Sequence, residues 1–369
     1  MPEGAQRADA RSANSASVYH NLPSHGQVAQ QAWPFSPQDR LCAIPGPIWD
    51  CTEIALSYCD SMFTVNQIPI IDTFAEAFPM TVARVIVTAL DLSWAEAAAQ
   101  AATGFASSVI GCDCEAGIER VLREEETPDG RPGVALLFFA FSRDALQKAL
   151  LARIGQCILP CPTTACYNGL DAPPDRCLPL GAQLRFFGDG WQTSKKLDGR
   201  RLWRVPVMDG EFLCDESFGT VKGVAGGNFL LLGANVAGTL AAAHAAIEAI
   251  APLPGVLSPF PAGIVRSGSK VGSRYAKLKA STNEGYCPTL RPLVASKLGP
   301  ETGCVYEIVL DGVDQAAVEA GMRAGIAAAC QSGIARGIEQ ITAGNYGGKL
   351  GPVHLHLHAL MAKHADPSR

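Results

Sequence analysis

Gly303-Cys-Val-Tyr-Glu-Ile-Val-Leu-Asp311 is a short run of β-branched, aromatic and apolar residues, and it predicts a β-strand. Inside the run one carboxylate, Glu307, lies between Tyr306 and Ile308. A charge inside an apolar strand is costly unless it is paired, solvated or protonated. Glu307 is therefore either an exposed residue on a half-solvated strand or an acid whose pKa is tuned for catalysis.

Strand and helix patterns alternate along the chain from Val65 onward. Apolar and β-branched runs predict strands at 82–90, 107–112, 134–141, 184–187, 202–207, 220–224, 229–233, 304–310, 338–342 and 353–358. Helical spacing predicts helices at 94–102, 144–154, 236–250 and 314–331, with Ser93 and Asn235 as N-caps. Hairpin-like neighbours favour split β-α-β units, so the predicted fold class is α+β, a sandwich used twice in lobes at 62–208 and 209–369.

The composition excludes several classes of partner. The 369 residues carry a net charge of −5 without a block of like charges, which argues against a nucleic-acid groove or a polybasic membrane patch. Neither a membrane-length apolar run nor a signal-peptide pattern is present, so we predict a soluble, cytoplasmic protein. The 13 cysteines lack paired C-x-x-C spacing, which favours reduced, buried thiols over a structural metal site.

Residues 1–61 differ from the rest of the chain, because they are rich in Ser, Ala, Gln and Pro and show no sustained hydrophobic period. The sequence predicts that a folded domain begins at Met62. We therefore predict that residues 1–61 are a disordered extension or a mis-assigned gene start. An intact mass of the native protein that includes Met1 or Pro2 would contradict the second alternative.

Two glycine-rich segments leave alternatives open. Gly223-Val-Ala-Gly-Gly-Asn-Phe229 indicates a tight turn or bulge, or else a ligand-facing turn with exposed N–H groups. This segment leads into a strand, whereas a nucleotide-phosphate loop leads into a helix. The sequence context expected of a nucleotide-dependent oxidoreductase is therefore absent. Ala343-Gly-Asn-Tyr-Gly-Gly-Lys-Leu-Gly351 lies between two predicted strands and indicates a wide hairpin or a polar, ligand-facing loop.

Hydroxyl-rich loops and a histidine run are weaker signals. The loops at 267–273 and 280–283 either hydrogen-bond a polar ligand or form Asx and Ser/Thr turns. Val353-His-Leu-His-Leu-His358 places three imidazoles on one face of the predicted strand. A solvated histidine face is favoured over a metal site, because a third co-linear histidine rarely completes a tetrahedron.

Several strings, taken together and in order, resemble one known family, the formylmethanofuran:tetrahydromethanopterin formyltransferases. They are Asp72–Phe78, Glu125–Gly133, Arg153–Cys157, Phe186–Gly190, Gly223–Phe229, Ala280–Asn283, Cys304–Val309 and Ala343–Gly351. The resemblance runs from about Ile71 to about Leu360. Residues 1–61 have no counterpart in it, and His354 stands where family members can carry an acidic residue.

The resemblance implies a duplicated ferredoxin-like fold, a homotetramer, and no metal or permanently bound cofactor. It implies transfer of a formyl group from a methanofuran-type amine carrier to N5 of tetrahydromethanopterin, in C1 oxidation. Bacterial relatives resemble one component of a formyltransferase/hydrolase complex, the one that carries the formyltransferase, so partner subunits are expected. A non-catalytic scaffold component of such a complex is the alternative.

The family's catalytic glutamate falls on Glu307, which favours the acid/base interpretation of that residue. The predicted substrate-binding residues are polar or aromatic positions in the matching strings and the neighbouring loops: Phe187, Asp189, Asn228, Ser269, Lys270, Ser281, Thr282, Asn283 and Asn345. Backbone N–H groups of the glycine-rich segments, or Asn228, Ser281 and Asn283, are the candidates to stabilise an oxyanion.

Overall fold

The structure is a computed structural model that describes residues 63–197, 199–331 and 333–365. The predicted extension or mis-assigned start at 1–61 lies outside the described residues. The helices of the described part are α1 (Leu92–Thr103), α2 (Arg143–Arg153), α3 (Leu180–Leu184), α4 (Val236–Ile250), α5 (Gln315–Gln331) and α6 (Leu357–Ala365). Its strands are β1 (Thr64–Val65), β2 (Ile68–Pro69), β3 (Phe74–Thr88), β4 (Glu115–Leu122), β5 (Gly133–Ala140), β6 (Ala165–Asn168), β7 (Cys177–Leu178), β8 (Thr193–Leu197), β9 (Arg200–Val207), β10 (Gly210–Asp215), β11 (Phe218–Gly219), β12 (Val221–Gly233), β13 (Val256–Leu257), β14 (Lys270–Val271), β15 (Ala280–Ser281), β16 (Cys304–Gly312), β17 (Ile338–Thr342) and β18 (Val353–His356).

The four predicted helices are confirmed as α1, α2, α4 and α5. Asn235 caps α4 as predicted, because its side chain accepts a hydrogen bond from the backbone N–H of Gly238 at 2.8 Å. The predicted cap of α1 is wrong. Asp91 accepts the hydrogen bond from the backbone N–H of Trp94 at 3.3 Å, and the Ser93 hydroxyl donates to Asp91 instead.

Two predicted strands are wrong. Residues 107–112 form turns, in which the backbone N–H of Cys112 donates to the carbonyl of Ser108 at 2.8 Å. Residues 184–187 are helical, because α3 continues into a 3₁₀ turn at Arg185–Gly188. There the Arg185 guanidinium lies 4.3 Å from the centre of the Trp203 ring, a cation–π contact that the apolar pattern of the run did not reveal.

Two further strand predictions are correct only in part. The runs 220–224 and 229–233 are not a hairpin, because residues 221–224 and 229–233 lie in one strand, β12. The strand predicted at 353–358 ends at His356, and Leu357 begins α6 with its N–H donating to the carbonyl of Thr73 at 2.9 Å. His358 therefore lies on a helix, so the prediction of three imidazoles on one strand face is wrong.

Strands β3 and β12 join the two halves of the chain in one sheet of twelve strands among the described residues. The second half of β3 pairs with β5 and β6, whereas its first half pairs with β18. β12 pairs with β3 through Val221–Ala225 and then with β16 and β17. All of these pairings are antiparallel, and most join strands that are far apart in the sequence, such as β3 with β12 and β3 with β18, so long-range pairing sets the fold.

Three apolar clusters lie on this sheet among the described residues, and helices cover two of them. The first packs α1 and α2 against β3 and β5, with Leu136, Phe138 and Leu150 completely buried. The second packs α4 and α5 against β12 and β16 around Phe229 and Ile308. The result is a mixed α/β fold with two lobes, and none of the helices in the described ranges is long and apolar enough to cross a membrane.

Candidate active site

A cavity of about 550 Å³ opens where β3, β12 and β16 run side by side. The turn at 107–112 and the loops around residues 268 and 346 complete its wall. The residues that line it include Glu76, Phe78, Ser108, Val109, Glu115, Gly226, Asn228, Ser269, Lys270, Lys279, Glu307, Val309, Tyr346 and Leu350. Its volume lies in the range of small-molecule sites, and its wall is mostly apolar with a few polar groups.

Glu307 lies in the wall of this cavity with its backbone fixed on both sides. Leu230 of β12 is its register partner on one side, and Val265 exchanges two backbone hydrogen bonds with it on the other, at 2.8 and 2.9 Å. The side chain is half-buried beside Val265 and Val309. Burial raises the pKa of Glu307 to about 7, so this carboxyl exchanges its proton near neutral pH.

A smaller cavity of about 50 Å³ shares Glu307 with the large one. Val265 and the segment Ser267–Ser269 also line both cavities. The smaller cavity is further lined by Arg266, Asn283, Tyr286 and Cys287. Glu307 therefore lies where two adjoining spaces meet.

The segment 343–351 wraps around the carboxylate of Glu76, which is only 1% exposed. Four backbone N–H groups donate to it: those of Tyr346 and Gly348 at 2.6 and 2.9 Å, and those of Leu350 and Gly351 at 2.6 and 2.7 Å. Burial raises the pKa of Glu76, but the four hydrogen bonds outweigh it and hold the pKa below its ordinary value. The wide-hairpin interpretation is wrong, because β17 pairs with β12 and β18 with β3.

The other glycine-rich segment is a bulge inside β12. The register of β12 against β16 shifts between Val224 and Gly227, and Gly226 has a φ of +86°, which favours glycine. The Gly226 N–H donates to Asp311 at 3.0 Å. The predicted bulge is confirmed, and Gly226 also lines the large cavity.

Two buried acids, Glu115 and Asp311, are hydrogen-bonded to each other at the junction of β4 and β16. Glu115 also accepts the N–H of Val109 at 3.0 Å and lines the large cavity. Burial raises the pKa of both carboxyls, and the proximity of Glu115 raises that of Asp311 further. The pair therefore holds a proton at pH values where exposed acids are ionised.

The substitution Asp311→Asn should stabilise the protein at alkaline pH. Because the folded-state pKa values are raised, the wild-type pair contributes stability at low pH that is lost as the pH rises. Asparagine can donate to Glu115 and accept from Gly226 without losing a proton. We expect a Tm about 2–4 °C higher than wild type at pH 8 and a small difference at pH 5, measured by thermal unfolding across pH. The exposed Asp171→Asn is the control, and a lower Tm of Asp311→Asn at pH 8 would refute the shared proton.

Comparison with known proteins assigns the family. The profile described as formylmethanofuran-tetrahydromethanopterin formyltransferase matches residues 63–207, and the profile of the proximal lobe of that family matches residues 210–360. The chain belongs to the formylmethanofuran–tetrahydromethanopterin formyltransferase family. The family predicted from the sequence strings is thus confirmed.

Relatives of this formyltransferase family are similar over nearly their whole length. The formylmethanofuran–tetrahydromethanopterin formyltransferase of Methylococcus capsulatus is 56% identical over 298 residues, which are 81% of this chain and 99% of the relative. A subunit of the formyltransferase/hydrolase complex of Methylorubrum extorquens is 51% identical over 311 residues, 83% of this chain and 99% of the relative.

Solved structures of the family have the same two-lobed α/β fold. A chain in the crystal structure of the formyltransferase/hydrolase complex from Methylorubrum extorquens, in complex with methylofuran, matches with a TM-score of 0.79 and 51% identity, covering 82% of this chain and 99% of that one. The formyltransferase of Methanosarcina barkeri matches with a TM-score of 0.76 and 46% identity, covering 81% of this chain and 100% of that one.

Four of the residues predicted to bind substrate line the two cavities beside Glu307. Ser269 lines both cavities, Asn228 and Lys270 line the large one, and Asn283 lines the small one. Lys270 is paired with the carboxylate of Glu284. Their role in binding stays a prediction.

Asn228 has no amide hydrogen left for a ligand. Its Nδ2 donates to the carbonyls of Gly226 and Gly344, both at 3.1 Å, and its Oδ1 accepts from the Gly344 N–H at 2.6 Å. These three bonds fix the orientation of the amide. Asn228 thus ties the β12 bulge to the segment 343–351, which disfavours its predicted part as oxyanion donor.

The other predicted binding residues do not line either cavity. The Ser281 hydroxyl donates to the carbonyl of Gly272 at 2.8 Å, the Thr282 hydroxyl lies 3.4 Å from the Cys287 sulfur, and Asn345 donates to the carbonyl of Phe74 at 3.1 Å. Phe187 is 65% exposed in the 3₁₀ turn of the first lobe, and Asp189 ends that turn with a φ of +50°. In a single protomer the structure does not bring Phe187 and Asp189 to Glu307.

The sequence reasoning missed Glu76, Glu115, Tyr346 and Tyr286 as parts of the site. Two of them had a signal in the sequence: Tyr346 lies in a glycine-rich segment, and Glu76 lies in the matching string Asp72–Phe78. Among the described residues no group of three or more His, Cys, Asp or Glu side chains is arranged to hold a metal ion. His354 and His356 instead pack beside the ring of Phe74, with ring centres 4.6 and 5.3 Å away.

Proposed function

We propose that this chain transfers a formyl group between the amine of a methanofuran-type carrier and N5 of tetrahydromethanopterin, in C1 oxidation. Relatives that it matches over nearly their whole length carry the name of this activity. The observation that carries the proposal is Glu307, a carboxyl with a pKa of about 7 in the wall shared by two cavities. Both carriers are substrates, and the reaction needs no redox group.

The chemistry fits a single carboxyl of raised pKa. The lone pair of the attacking amine forms a bond to the formyl carbon, and the C=O π pair moves to the oxygen. As the oxyanion collapses, the bond to the nitrogen of the first carrier breaks. Glu307 takes the proton from the attacking nitrogen and returns a proton to the leaving nitrogen, which is general acid–base catalysis by a group matched to neutral pH.

Assembly and finer architecture belong to the same proposal. Each lobe has a ferredoxin-like fold, and the first lobe ends at residue 208 and the second begins at residue 209. The protein is a homotetramer in the cytoplasm. It has no permanently bound cofactor. Partner subunits of a formyltransferase/hydrolase complex are expected, since one relative is named as a component of such a complex. Sedimentation of the purified chain, alone and with candidate partners, tests the assembly.

A two-carrier transfer assay tests the activity. The purified full chain is mixed with a formylated methanofuran-type carrier and tetrahydromethanopterin, and formation of the N5-formyl product is followed by absorbance. We expect turnover by the chain alone, unaffected by chelator. If both carriers bind but no formyl group moves, with or without partner proteins, the chain is a scaffold and the proposed activity is wrong.

A further inference from the structure

The oxyanion of the proposed reaction needs a hydrogen-bond donor close to Glu307. The hydrogens of Asn228 are engaged within the protein, and Lys270 is paired with Glu284. A suitable donor must line the large cavity and lie near Glu307 while its position is fixed by the fold, because preorganised donors lower the barrier most.

Tyr346 meets these requirements. It lines the large cavity, its phenol is hydrogen-bonded to the Ser269 side chain, and it is close enough to Glu307 for that carboxylate to act on its titration. Burial first, and then the Glu307 carboxylate, raise the pKa of the phenol, so it keeps its hydrogen at working pH. When the Ser269 hydroxyl donates in their mutual bond, the phenol hydrogen is free for a ligand.

The fold holds Tyr346 in place through its own backbone. The Tyr346 N–H donates to Glu76 at 2.6 Å, and the next two residues, Gly347 and Gly348, have φ values of +78° and +70° that suit glycine. The Tyr346 ring also lies near the Phe78 ring, with centres 6.4 Å apart. The Tyr346 phenol is therefore positioned by the segment 343–351, whose backbone is hydrogen-bonded to the buried carboxylate of Glu76.

We infer that Tyr346 is a second catalytic residue, whose phenol donates a hydrogen bond to the formyl oxygen as negative charge develops on it. This inference rests on the proposed formyl transfer. The phenol keeps its proton throughout: the π pair moves to the oxygen when the new C–N bond forms and returns when the old C–N bond breaks. Glu307 alone moves protons between the two nitrogens. Ser269 is a positioning residue for the phenol.

Tyr286 also lies near Glu307, but the geometry favours Tyr346. The Tyr286 phenol is hydrogen-bonded to the Thr342 side chain and lines the smaller cavity. A space of about 50 Å³ has room for a water molecule or two rather than for a carrier. A carrier in the large cavity places its formyl oxygen on the side of Glu307 that faces Tyr346.

The test is the steady-state kinetics of Tyr346→Phe in the full chain with both carriers. We expect kcat to fall about 100-fold, the typical effect of removing one oxyanion donor, while both KM values and the Tm change little. Tyr306→Phe is the matched control, because Tyr306 packs against the second core and lines neither cavity. Ser269→Ala should lower kcat less than Tyr346→Phe does.

Three outcomes would overturn the inference in distinguishable ways. If Tyr346→Phe keeps a kcat within a few-fold of an active wild type, the phenol is not the donor although formyl transfer stands. If Tyr346→Phe raises KM at unchanged kcat, the phenol binds the ground state and does not stabilise the oxyanion. If the wild-type chain transfers no formyl group, the proposed function fails and the role of Tyr346 fails with it.

Discussion

Glu307→Gln should fold normally and lose about 10²–10⁴-fold in kcat, because glutamine keeps the shape of the side chain but cannot exchange a proton between two nitrogens. The backbone of residue 307 is held by Leu230 and Val265 whatever the side chain is. The large cavity therefore keeps its shape in the variant, and KM for both carriers should change much less than kcat. Steady-state kinetics with both carriers measures the effect.

The pH dependence of thermal stability gives an independent measurement on Glu307. The folded-state pKa of Glu307, about 7, lies above its unfolded value, so the wild type gains stability from this group at low pH and loses that gain as the pH rises toward and through 7. Glu307→Gln has no such loss. Its Tm should equal or exceed that of the wild type at pH 8, which separates a catalytic defect from misfolding.

The control for Glu307→Gln is Glu301→Gln, at an exposed glutamate in the segment before β16. This variant should keep wild-type kcat and Tm, since exposed substitutions change the free energy of unfolding little. Near-full activity of Glu307→Gln in the two-carrier assay would remove the acid/base assignment. Formyl transfer would then have to rely on proton exchange with water or with another side chain.

Sequence patterns correctly predicted the elements that depend on interactions between residues close together in the chain. The β-branched run around Glu307 became β16, and Asn235 caps α4 because an N-cap depends on residues only three apart. The strings Gly223–Phe229 and Ala343–Gly351 marked parts of the site, since clustered glycines in a sequence indicate a backbone that adopts positive φ, as Gly226, Gly347 and Gly348 do. The prediction of formyl transfer came from the strings that resemble the formyltransferase family.

Contacts between distant residues could not be predicted from patterns. Glu76 contacts the segment 343–351, which lies about 270 positions later in the sequence, and no spacing rule joins the two. The pairing of Glu115 with Asp311 likewise depends on how β4 meets β16. Phe187 and Asp189 lie in a matching string, and a match along the sequence carries no information about distance from Glu307 within a protomer.

Glu76→Gln should destabilise the protein by on the order of 3 kcal/mol and lower its activity, because an amide nitrogen would face two of the four backbone N–H donors of the segment 343–351. A loss of this size corresponds to a Tm lower by roughly 6–12 °C. Activity falls in the folded variant because Tyr346 is held by one of those bonds. Thermal unfolding and two-carrier kinetics measure both effects.

The pH dependence of this loss identifies its cause. The folded-state pKa of Glu76 lies below its unfolded value, so its stabilisation is present above the unfolded pKa and disappears as the pH falls through the folded one. The Tm difference between wild type and Glu76→Gln should therefore shrink toward pH 3, whereas the exposed Glu248→Gln should match the wild type throughout. A difference that stays constant with pH would mean that Glu76 acts through packing, because only an ionised carboxylate accepts from four N–H groups and a protonated one has to donate.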